Sequence, residues 1–383
     1  MTRGFRFSWP ATELVLAAVV LCLSCSDSST PPSGPGPEFA LSGQSACPIP
    51  ATIVVTDQAG LVGALASASP GQVIGVRGTI RVHTDLLIAT PNVTLTCESP
   101  GAGLVADTSG AVSFLVFAHA DGVAVSYLTL DARNSVEGPY DADDARGLRF
   151  TNNNALCGPD VCAFFDENTP NAVVADNQFV SNGSFTGVQM QTGIDGSRVE
   201  RNTIIATAPS TGFNFGAIRA RDGSAVTIAD NVITGPWSNS LALADLADSR
   251  VTRNRLAGAV NFGIRARSGG SLIPISITGD LFTGNVVTGA GVAGMFLRSA
   301  CRNTFLGNDL QRNAGGIGAI FDIATGANQL DGNRNVVIDN GSFDCDGDGQ
   351  PDRNLISGPG LVLHAPQGPP PPDSLAVSHT KVR

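Results

Sequence analysis

A short pattern built around asparagine recurs through the centre of the chain and constrains the fold more than any other feature. Successive asparagines of the pattern are 25, 29, 23, 31 and 23 residues apart. They are Asn177, Asn202, Asn231, Asn254, Asn285 and Asn308. Apolar residues alternate on both sides of each asparagine, as they do in a strand with one buried face. A strand-turn-strand unit repeated at this period predicts a solenoid in which each copy forms one turn.

The asparagines themselves are predicted to be structural. Amide side chains that stack along a solenoid can hydrogen-bond to each other and to the backbone of the turns. We therefore interpret Asn177, Asn202, Asn231 and Asn254 as a ladder inside the coil and not as a binding site.

Composition agrees with a turn-rich β protein and limits the partners. The chain has 383 residues, 45 of them glycine, with 42% hydrophobic and only 15% charged residues. A solenoid grows by adding turns, so this length does not require a second core. The 33 acidic and 23 basic residues give a formal charge of −10, which excludes a general electrostatic attraction for nucleic acid. Any attraction for anions must be local.

The N-terminus predicts export. Arg3 and Arg6 precede an apolar run from Leu14 to Leu23 that is too short to span a bilayer comfortably. Ser24-Cys25 ends the run and resembles a bacterial lipoprotein signal, which implies that Cys25 becomes the lipid-bearing first residue. Ordinary cleavage without a lipid is the alternative. We expect an outer-membrane or cell-surface lipoprotein, or a periplasmic or secreted protein, that touches membrane only through its N-terminal lipid.

Four segments follow from these patterns. We assign residues 1–25 to the signal, 26–45 to a flexible linker rich in Ser, Pro and Gly, 46–362 to the solenoid and 363–383 to a disordered tail. A capping helix is expected from Asp57 to Ser69, where Leu61, Val62 and Leu65 recur at helical spacing before Pro70-Gly71. Terminal repeats of a solenoid need such a cap to cover the open core.

The first turns after this helix resemble a known superfamily. The order helix, Pro70-Gly71, Val73-Ile74-Gly75-Val76 and Asn92-Val93-Thr94-Leu95 is similar to the opening of the pectin-lyase-like superfamily. The resemblance covers about residues 50 to 360 and implies an all-β fold, a right-handed parallel β-helix solenoid with three strands per turn. Such folds include lyases, hydrolases, epimerases and non-enzymatic adhesins, so the resemblance does not choose among these activities.

A second strand of each turn predicts a column of polar side chains. Apolar residues lie 13 positions before several of the asparagines, for example Ile218 before Asn231 and Leu241 before Asn254. Alternation then turns their neighbours outward. The candidate substrate-binding residues are Arg149, Gln189, Gln191, Arg219, Arg221, Arg265, Arg267 and Arg298. We interpret them as a groove for an extended anionic polymer, because guanidinium groups match carboxylates. The alternative is that the arginines only keep a flat sheet soluble.

Acidic residues near this column are weaker candidates for catalysis. Asp141, Asp143 and Asp144 precede Arg149, and clustered carboxylates on loops can bind a cation or act as acid and base. The resemblance implies lyase chemistry, in which Ca²⁺ neutralises a uronate and a basic side chain such as Arg219 or Arg265 removes a proton. The chain lacks the Gly-His-Gly, Asn-Thr-Asp and Arg-Ile-Lys motifs of polygalacturonase-like hydrolases. An acidic surface loop without catalysis therefore remains an alternative.

The segment from Asp344 to Asp352 predicts a calcium loop. Asp344, Asp346 and Asp348 alternate with small residues, and Asp352 follows. A tight loop of this kind can direct several carboxylates at one Ca²⁺, which we expect to be structural. A plain acidic turn is the alternative, and the loop lacks the glutamate of an EF-hand. Asn303, Asn328 and Asn354 indicate that the coil resumes after the loop.

Six cysteines remain after Cys22 and Cys25, and an even number in an exported chain favours disulfides. Six cysteines allow 15 pairings, of which Cys157 with Cys162 across a Gly-Pro turn is the most favoured. The function expected from the sequence is a monomeric exported protein that binds an acidic polysaccharide. Cleavage, by a polysaccharide lyase or glycoside hydrolase mechanism, is a further hypothesis. A structural or adhesive surface module is the alternative.

Overall fold

The structure is a computed structural model that describes residues 46–108, 112–210, 212–267, 277–322, 324–331, 336–358 and 362–364. Over these ranges the chain forms a parallel β-solenoid of about 12 turns, nearly all β, with one α-helix. The predicted fold class is confirmed. The signal, the linker and residues 365–383 of the predicted tail lie outside the described residues.

Each complete turn contributes one strand to each of three parallel sheets, which we call sheets 1, 2 and 3 in chain order. Sheet 1 comprises Ile53–Val55, Val73–Val76, Thr94–Cys97, Ala124–Ser126, Arg149–Thr151, Val173–Ala175, Arg198–Glu200, Thr227–Ala229, Arg250–Thr252, Leu281–Thr283, Thr304–Leu306, Gln329–Asp331 and Leu355–Ser357. Sheet 2 comprises Thr79–Val82, Gly103–Ala106, Thr129–Asp131, Asn154–Leu156, Gln178–Ser181, Thr203–Ala206, Val232–Thr234, Arg255–Ala257, Val286–Thr288 and Asp309–Arg312.

Sheet 3 is the longest of the three. Its main path comprises Leu86–Ile88, Phe114–Ala118, Gly138–Ala142, Val161–Phe165, Thr186–Met190, Ile218–Ser224, Asn239–Ala247, Phe262–Arg267, Ala293–Leu297, Ile317–Phe321, Val336–Asp339 and Val362–His364. Three short strands extend it beside the main path: Ile277–Thr278, Ala300–Cys301 and Thr325–Gly326. A 3₁₀ turn, Ala314–Gly316, precedes the tenth strand of the main path.

The core is the interior of the coil, where alternate side chains of all three sheets meet. Ile218 and Leu241, which alternation predicted to point inward, are buried in one continuous cluster that also contains Val188, Ile264 and Met295. Because parallel strands stack in register, residues of the same type recur above each other, and the Phe282 and Phe305 rings stack with centroids 4.6 Å apart.

The asparagine ladder forms as predicted. Asn202 Nδ2 donates to Asn231 Oδ1 of the following turn at 3.0 Å and to the Val174 carbonyl at 2.9 Å. The same pattern links every asparagine of the repeat, and Asn153 extends the ladder by one turn at its start. These amides are buried, so their donors and acceptors are satisfied inside the coil and do not face a ligand.

The capping helix is Gln58–Ala66. Asp57 is its N-cap, and its side chain accepts a hydrogen bond from the Gly60 amide at 2.8 Å. Leu61, Ala64 and Leu65 are buried against the first turns, as the helical spacing predicted. No helix among the described residues is long and apolar enough to cross a membrane.

Three disulfides connect the six cysteines of the solenoid. The predicted pair Cys157–Cys162 is confirmed, with Cα atoms 4.4 Å apart. The other pairs are Cys47–Cys97 and Cys301–Cys345, with Cα atoms 5.5 and 5.8 Å apart. They attach the segment before the first strand and the predicted calcium loop, respectively, to the coil.

The coil also resumes after the calcium loop, as predicted. Asn303 Nδ2 donates to Asn328 Oδ1 at 2.9 Å, and Asn328 Nδ2 donates to Asn354 Oδ1 at 2.8 Å. The last described strand, Val362–His364, pairs with Val336–Asp339 and extends two residues beyond the boundary predicted for the solenoid.

Candidate functional site

The outer surface of sheet 3 collects most of the residues predicted to bind substrate. One row of side chains is in register from turn to turn, and turns are about 4.8 Å apart. The row contains Asp141, Phe164, Gln189, Arg219, Ala242, Arg265, Phe296 and Ile320. Arg219 and Arg265 are therefore two turns apart on one line.

A second row lies two residues further along each strand. Arg221, Ala244 and Arg267 are paired in register. The amides of Gln191 and Arg298 donate to Phe165 and Ala266 of the preceding turns at 2.8 and 3.0 Å, which places these two residues in the same row. We call the two rows together the arginine face. Its five arginines lie close together in a chain whose net charge is −10.

Arg149 does not belong to the arginine face, and its predicted placement was wrong. Arg149 is the first residue of Arg149–Thr151 in sheet 1, where it pairs with Ala124 and Val173. The strands of sheet 3 on either side of it in the chain are Gly138–Ala142 and Val161–Phe165. Alternation of inward and outward residues is the same in all three sheets, so the pattern around Leu148 and Phe150 could not identify the sheet.

Two of the three acidic candidates reach the arginine face. Asp141 lies within a strand, not on a loop, and its side chain is buried in the row two turns before Gln189. Asp143 directly follows that strand. Asp144 instead lies in the bend that follows the strand, with a φ of 48°. There it accepts a hydrogen bond from Asn168 Nδ2 at 2.9 Å.

Aromatic side chains cover the arginines. The connection between Ala206 and Ile218 places the Phe213 ring 4.6 Å from the guanidinium carbon of Arg265 and the Phe215 ring 4.9 Å from that of Arg219. Arg265 is only 2% exposed. The interpretation of these arginines as a solvated sheet surface is therefore unsuitable for Arg265, whose cation lies between an aromatic ring and the sheet.

The electrostatic state of Arg219 reflects this cover. Burial, together with the neighbouring charges of Arg221 and Arg267, lowers its pKa to about 10, against smaller opposing effects from Asp222 and Asp160. Its Nη1 donates to Gln189 Oε1 at 3.3 Å, which Thr186 Oγ1 also contacts at 3.3 Å. A buried cation among like charges is stabilised by an anionic ligand.

Arg221 and Arg298 of the face have carboxylate partners. Arg221 Nε donates to Asp222 Oδ2 at 2.8 Å, and Arg298 Nε donates to Asp322 Oδ2 at 2.6 Å. Positive charge at the end of the face near Arg298 is therefore locally compensated, whereas burial and like charge combine around Arg219.

Sequence reasoning missed Phe213 and Phe215. They belong to the segment Gly212-Phe213-Asn214-Phe215-Gly216, which directly precedes the strand containing Arg219. Two aromatic residues between glycines next to an outward arginine are the signal that could have identified them. Trp237, by contrast, is buried in the core and is a packing residue.

The predicted calcium loop brings three of its four candidate ligands together. Asp344, Asp346 and Asp348 can each direct one carboxylate oxygen into a group whose atoms lie within 4.8 Å of one another. The amides of Gly349 and Gly347 donate to Asp344, which holds the pKa of its carboxyl below the usual range. Asp352 is outside the group, and its Oδ2 accepts from the Cys345 amide at 3.0 Å.

Two solved structures have similar folds. An alginate lyase from Paenibacillus sp. str. FPU-7 has a TM-score of 0.54 at 14% identity, covering 71% of this chain and 98% of the lyase. The A-module of the Azotobacter vinelandii mannuronan C-5 epimerase AlgE6 has a TM-score of 0.55 at 15% identity, covering 82% of this chain and 94% of the module. No protein-family model and no curated protein matches the chain. At these identities the similarity establishes the right-handed β-helix fold alone.

Proposed function

We propose that the protein binds an acidic polysaccharide along the arginine face. The observation that supports the proposal is the line of Arg219 and Arg265 beside Arg221 and Arg267, partly buried under aromatic rings in an acidic chain. An extended polymer lying across the strands would meet the half-buried guanidinium groups of Arg221 and Arg267, which are two turns or about 10 Å apart. Guanidinium groups bind carboxylates in two-point contacts, so the ligand class is a polyuronate.

β-Elimination is the chemistry that this face fits best. In β-elimination a base takes the proton from the carbon next to the uronate carboxylate, a carbon–carbon double bond forms, and the glycosidic oxygen leaves and takes up a proton. Positive charge at the carboxylate stabilises the negative charge that develops there. We assign the positive charge at the carboxylate to Arg267, which is half-buried, and the proton transfer to Arg219, whose pKa is lowered to about 10. In its neutral form Arg219 takes the carbon-bound proton and then gives it to the departing glycosidic oxygen. The names of the two structural neighbours, an alginate lyase and a mannuronan epimerase, support a polysaccharide as the ligand class.

The test compares two variants with the same loss of charge. Arg219→Gln with Arg221→Gln removes two charges from the arginine face, whereas Arg250→Gln with Arg255→Gln removes two exposed charges from sheets 1 and 2. We expect polyuronate retention to fall in the first variant only, and salt to weaken retention of the wild type, since exposed charges are screened within about 10 Å at 0.1 M.

Cleavage is measured by the ultraviolet absorbance of unsaturated products, with alginate and pectate as substrates and with and without Ca²⁺. Product formed by the wild type and lost in the Arg219 variant supports the lyase assignment. If both double variants and the wild type retain polyuronate equally and none forms product, the structural or adhesive module replaces the proposal.

The proposal includes two further features that the sequence indicates. We propose that the protein is exported and held by a lipid at Cys25, and that the loop of Asp344, Asp346 and Asp348 binds a structural Ca²⁺. The prediction for each feature is given in the Discussion.

A further inference from the structure

A separate cavity of about 510 Å³ lies on the outer surface of sheet 1. Because sheets 1 and 3 form different sides of the coil, this cavity is distinct from the arginine face. Its wall includes Ile49, Ser126, Tyr127, Arg149 and Arg198. The volume is in the range of sites for small molecules, which is roughly 300–1,000 Å³.

One wall of the cavity comes from outside the coil. Ile49 belongs to the segment before the first strand, and the disulfide between Cys47 and Cys97 fastens that segment to sheet 1 two residues away. The segment also approaches the sheet closely at Gly75, where an added Cβ would lie 2.5 Å from Ala51. The cavity is thus bounded by sheet 1 and by a segment that is covalently attached to it.

Two buried hydroxyls at this surface lack partners. Thr96 and Ser126 are neighbours in register and are 0% and 3% exposed. Among the described residues neither Thr96 Oγ1 nor Ser126 Oγ has a hydrogen-bond partner. Buried hydroxyls are nearly always hydrogen-bonded, so the Ser126 hydroxyl, which lines the cavity, indicates a polar ligand.

The cavity has one arginine more than it has carboxylates, since Arg149, Arg198 and Arg201 lie beside Asp176 and Glu200. Glu200 pairs with Arg201 at 3.1 Å and with Arg198 at 4.0 Å. Arg201 is already held by both oxygens of Asp176, at 2.8 and 2.9 Å. Arg149 is exposed and forms no ion pair with any described residue. Arg149 and Arg198 are in one register row separated by Val173, and two turns correspond to about 10 Å.

We propose that this cavity is a second saccharide site that binds a short uronate oligomer. Arg149 binds a carboxylate, the Ser126 and Thr151 hydroxyls hydrogen-bond to sugar hydroxyls, and the Tyr127 ring packs against a sugar ring. The proposal rests on the proposed function only in the choice of a uronate as the sugar. A site on a second side of the coil lets the protein retain one chain while the arginine face engages another.

The test is calorimetric titration of the full-length protein with a mannuronate trisaccharide. We expect two binding sites in the wild type. Arg149→Gln with Arg198→Gln should remove one site and leave the other. Arg250→Gln is the matched control, since Arg250 is exposed and lies two turns beyond Arg198 in the same row but outside the cavity. That variant should retain both sites.

Ser126→Ala separates binding from folding. Removing an unpartnered buried hydroxyl should leave the melting temperature unchanged or raise it. The same change should weaken the sheet 1 site by roughly tenfold, since one hydrogen bond to the ligand is lost.

The outcomes distinguish the two proposals. A single site in the wild type that Arg219→Gln with Arg221→Gln abolishes would overturn the second site and leave the proposed function standing. A single site that is lost only in the Arg149 and Arg198 variant would support the sheet 1 site and overturn binding at the arginine face. Wild-type affinity at both sites in Ser126→Ala and in the Arg149 and Arg198 variant would also overturn the second site.

Discussion

The pKa values of single ionisable side chains in this solenoid depend on where the side chain lies and what surrounds it. Arg219 points outward under Phe215, where burial and like charges lower its pKa to about 10. Asp280 is buried in line with Asn303, where its amide donates to Asn303 Oδ1 at 2.9 Å and its Oδ1 accepts from the Ser249 amide at 2.7 Å. Burial raises the pKa of Asp280 to about 6, and the nearby Asp248 adds to the increase. Burial therefore destabilises the charged forms of both Arg219 and Asp280 unless an opposite charge lies beside them.

Asp280 should make stability depend on pH between about 4 and 6. The folded state binds its proton more tightly than the unfolded state, whose pKa is near 3.8. The contribution is fully present below pH 3.8 and is lost as the pH rises through 6, so the wild type should lose on the order of 3 kcal/mol from this group.

Asp280→Asn keeps the ladder geometry without the titration, and should be more stable than the wild type at pH 7 and nearly equal at pH 4. Urea unfolding at several pH values measures the difference. Glu167→Gln, at an exposed carboxyl, is the control and should show no such trend. A difference between Asp280→Asn and wild type that does not change with pH would contradict the assignment.

At the scale of elements, two loops of the coil add side chains to surfaces that the strands form. The connection between Ala206 and Ile218 brings aromatic rings over the arginines, and the segment 344–352 brings three carboxylates together. Each loop is attached to the coil by specific contacts: Phe213 packs against Phe262 with ring centroids 6.1 Å apart, and Cys345 is bonded to Cys301.

Phe213→Ala should weaken polysaccharide binding and stability together. The change removes the ring over Arg265 and its contact with Phe262, and should reduce the free energy of unfolding by about 1–2 kcal/mol. Retention on a polyuronate column and thermal melting measure the two effects. Leu87→Ala is the control, because Leu87 is 51% exposed near the start of the same sheet 3 row. Equal retention by the two variants would show that the Phe213 ring takes no part in polysaccharide binding.

The loop of Asp344, Asp346 and Asp348 should bind Ca²⁺ in preference to Mg²⁺. Irregular groups of carboxylates suit the flexible coordination of the larger ion. A bound ion stabilises the folded state by about 2.7 kcal/mol at a free concentration 100 times its Kd, which appears as a higher melting temperature. Asp346→Ala with Asp348→Ala should abolish the increase. The idea fails if Ca²⁺ raises the melting temperature of wild type and variant equally, or of neither.

At the scale of the whole molecule, two of the three sides of the coil have arginines in distinct settings. Sheet 3 has the arginine face, and sheet 1 has the smaller cavity with Arg149. Both groups of arginines are local in a chain of net charge −10, so the proposed binding of an anionic polymer requires no general affinity for anions.

The N-terminal signal predicts how the whole molecule is held. Cys25 follows the apolar run from Leu14 to Leu23, so we expect its lipidation to carry the protein into the detergent phase. Cys25→Ala should move it to the aqueous phase. Immunoblotting after detergent phase separation measures the partition. Equal partition of both forms would exclude the lipid anchor.

The sequence alone determined the parts of this protein that depend on contacts between consecutive turns. The asparagine spacing predicted the solenoid, the buried amide ladder and the return of the coil at Asn354. Helical spacing predicted the cap, and a five-residue separation predicted the disulfide between Cys157 and Cys162. These features either repeat along the chain or involve residues close in sequence, so the sequence pattern is sufficient to predict them.

Only the tertiary structure decided which side of the coil each outward residue occupies and what covers it. Arg149 and Arg219 follow the same alternation, yet they lie on sheets 1 and 3 because the residues between strands differ in number from turn to turn. The burial of Arg265 under Phe213 depends on the path of one loop. Strand alternation has a period of two in every sheet, so it distinguishes inward from outward residues but not one sheet from another. The path of the chain around the coil decides in which sheet each residue lies.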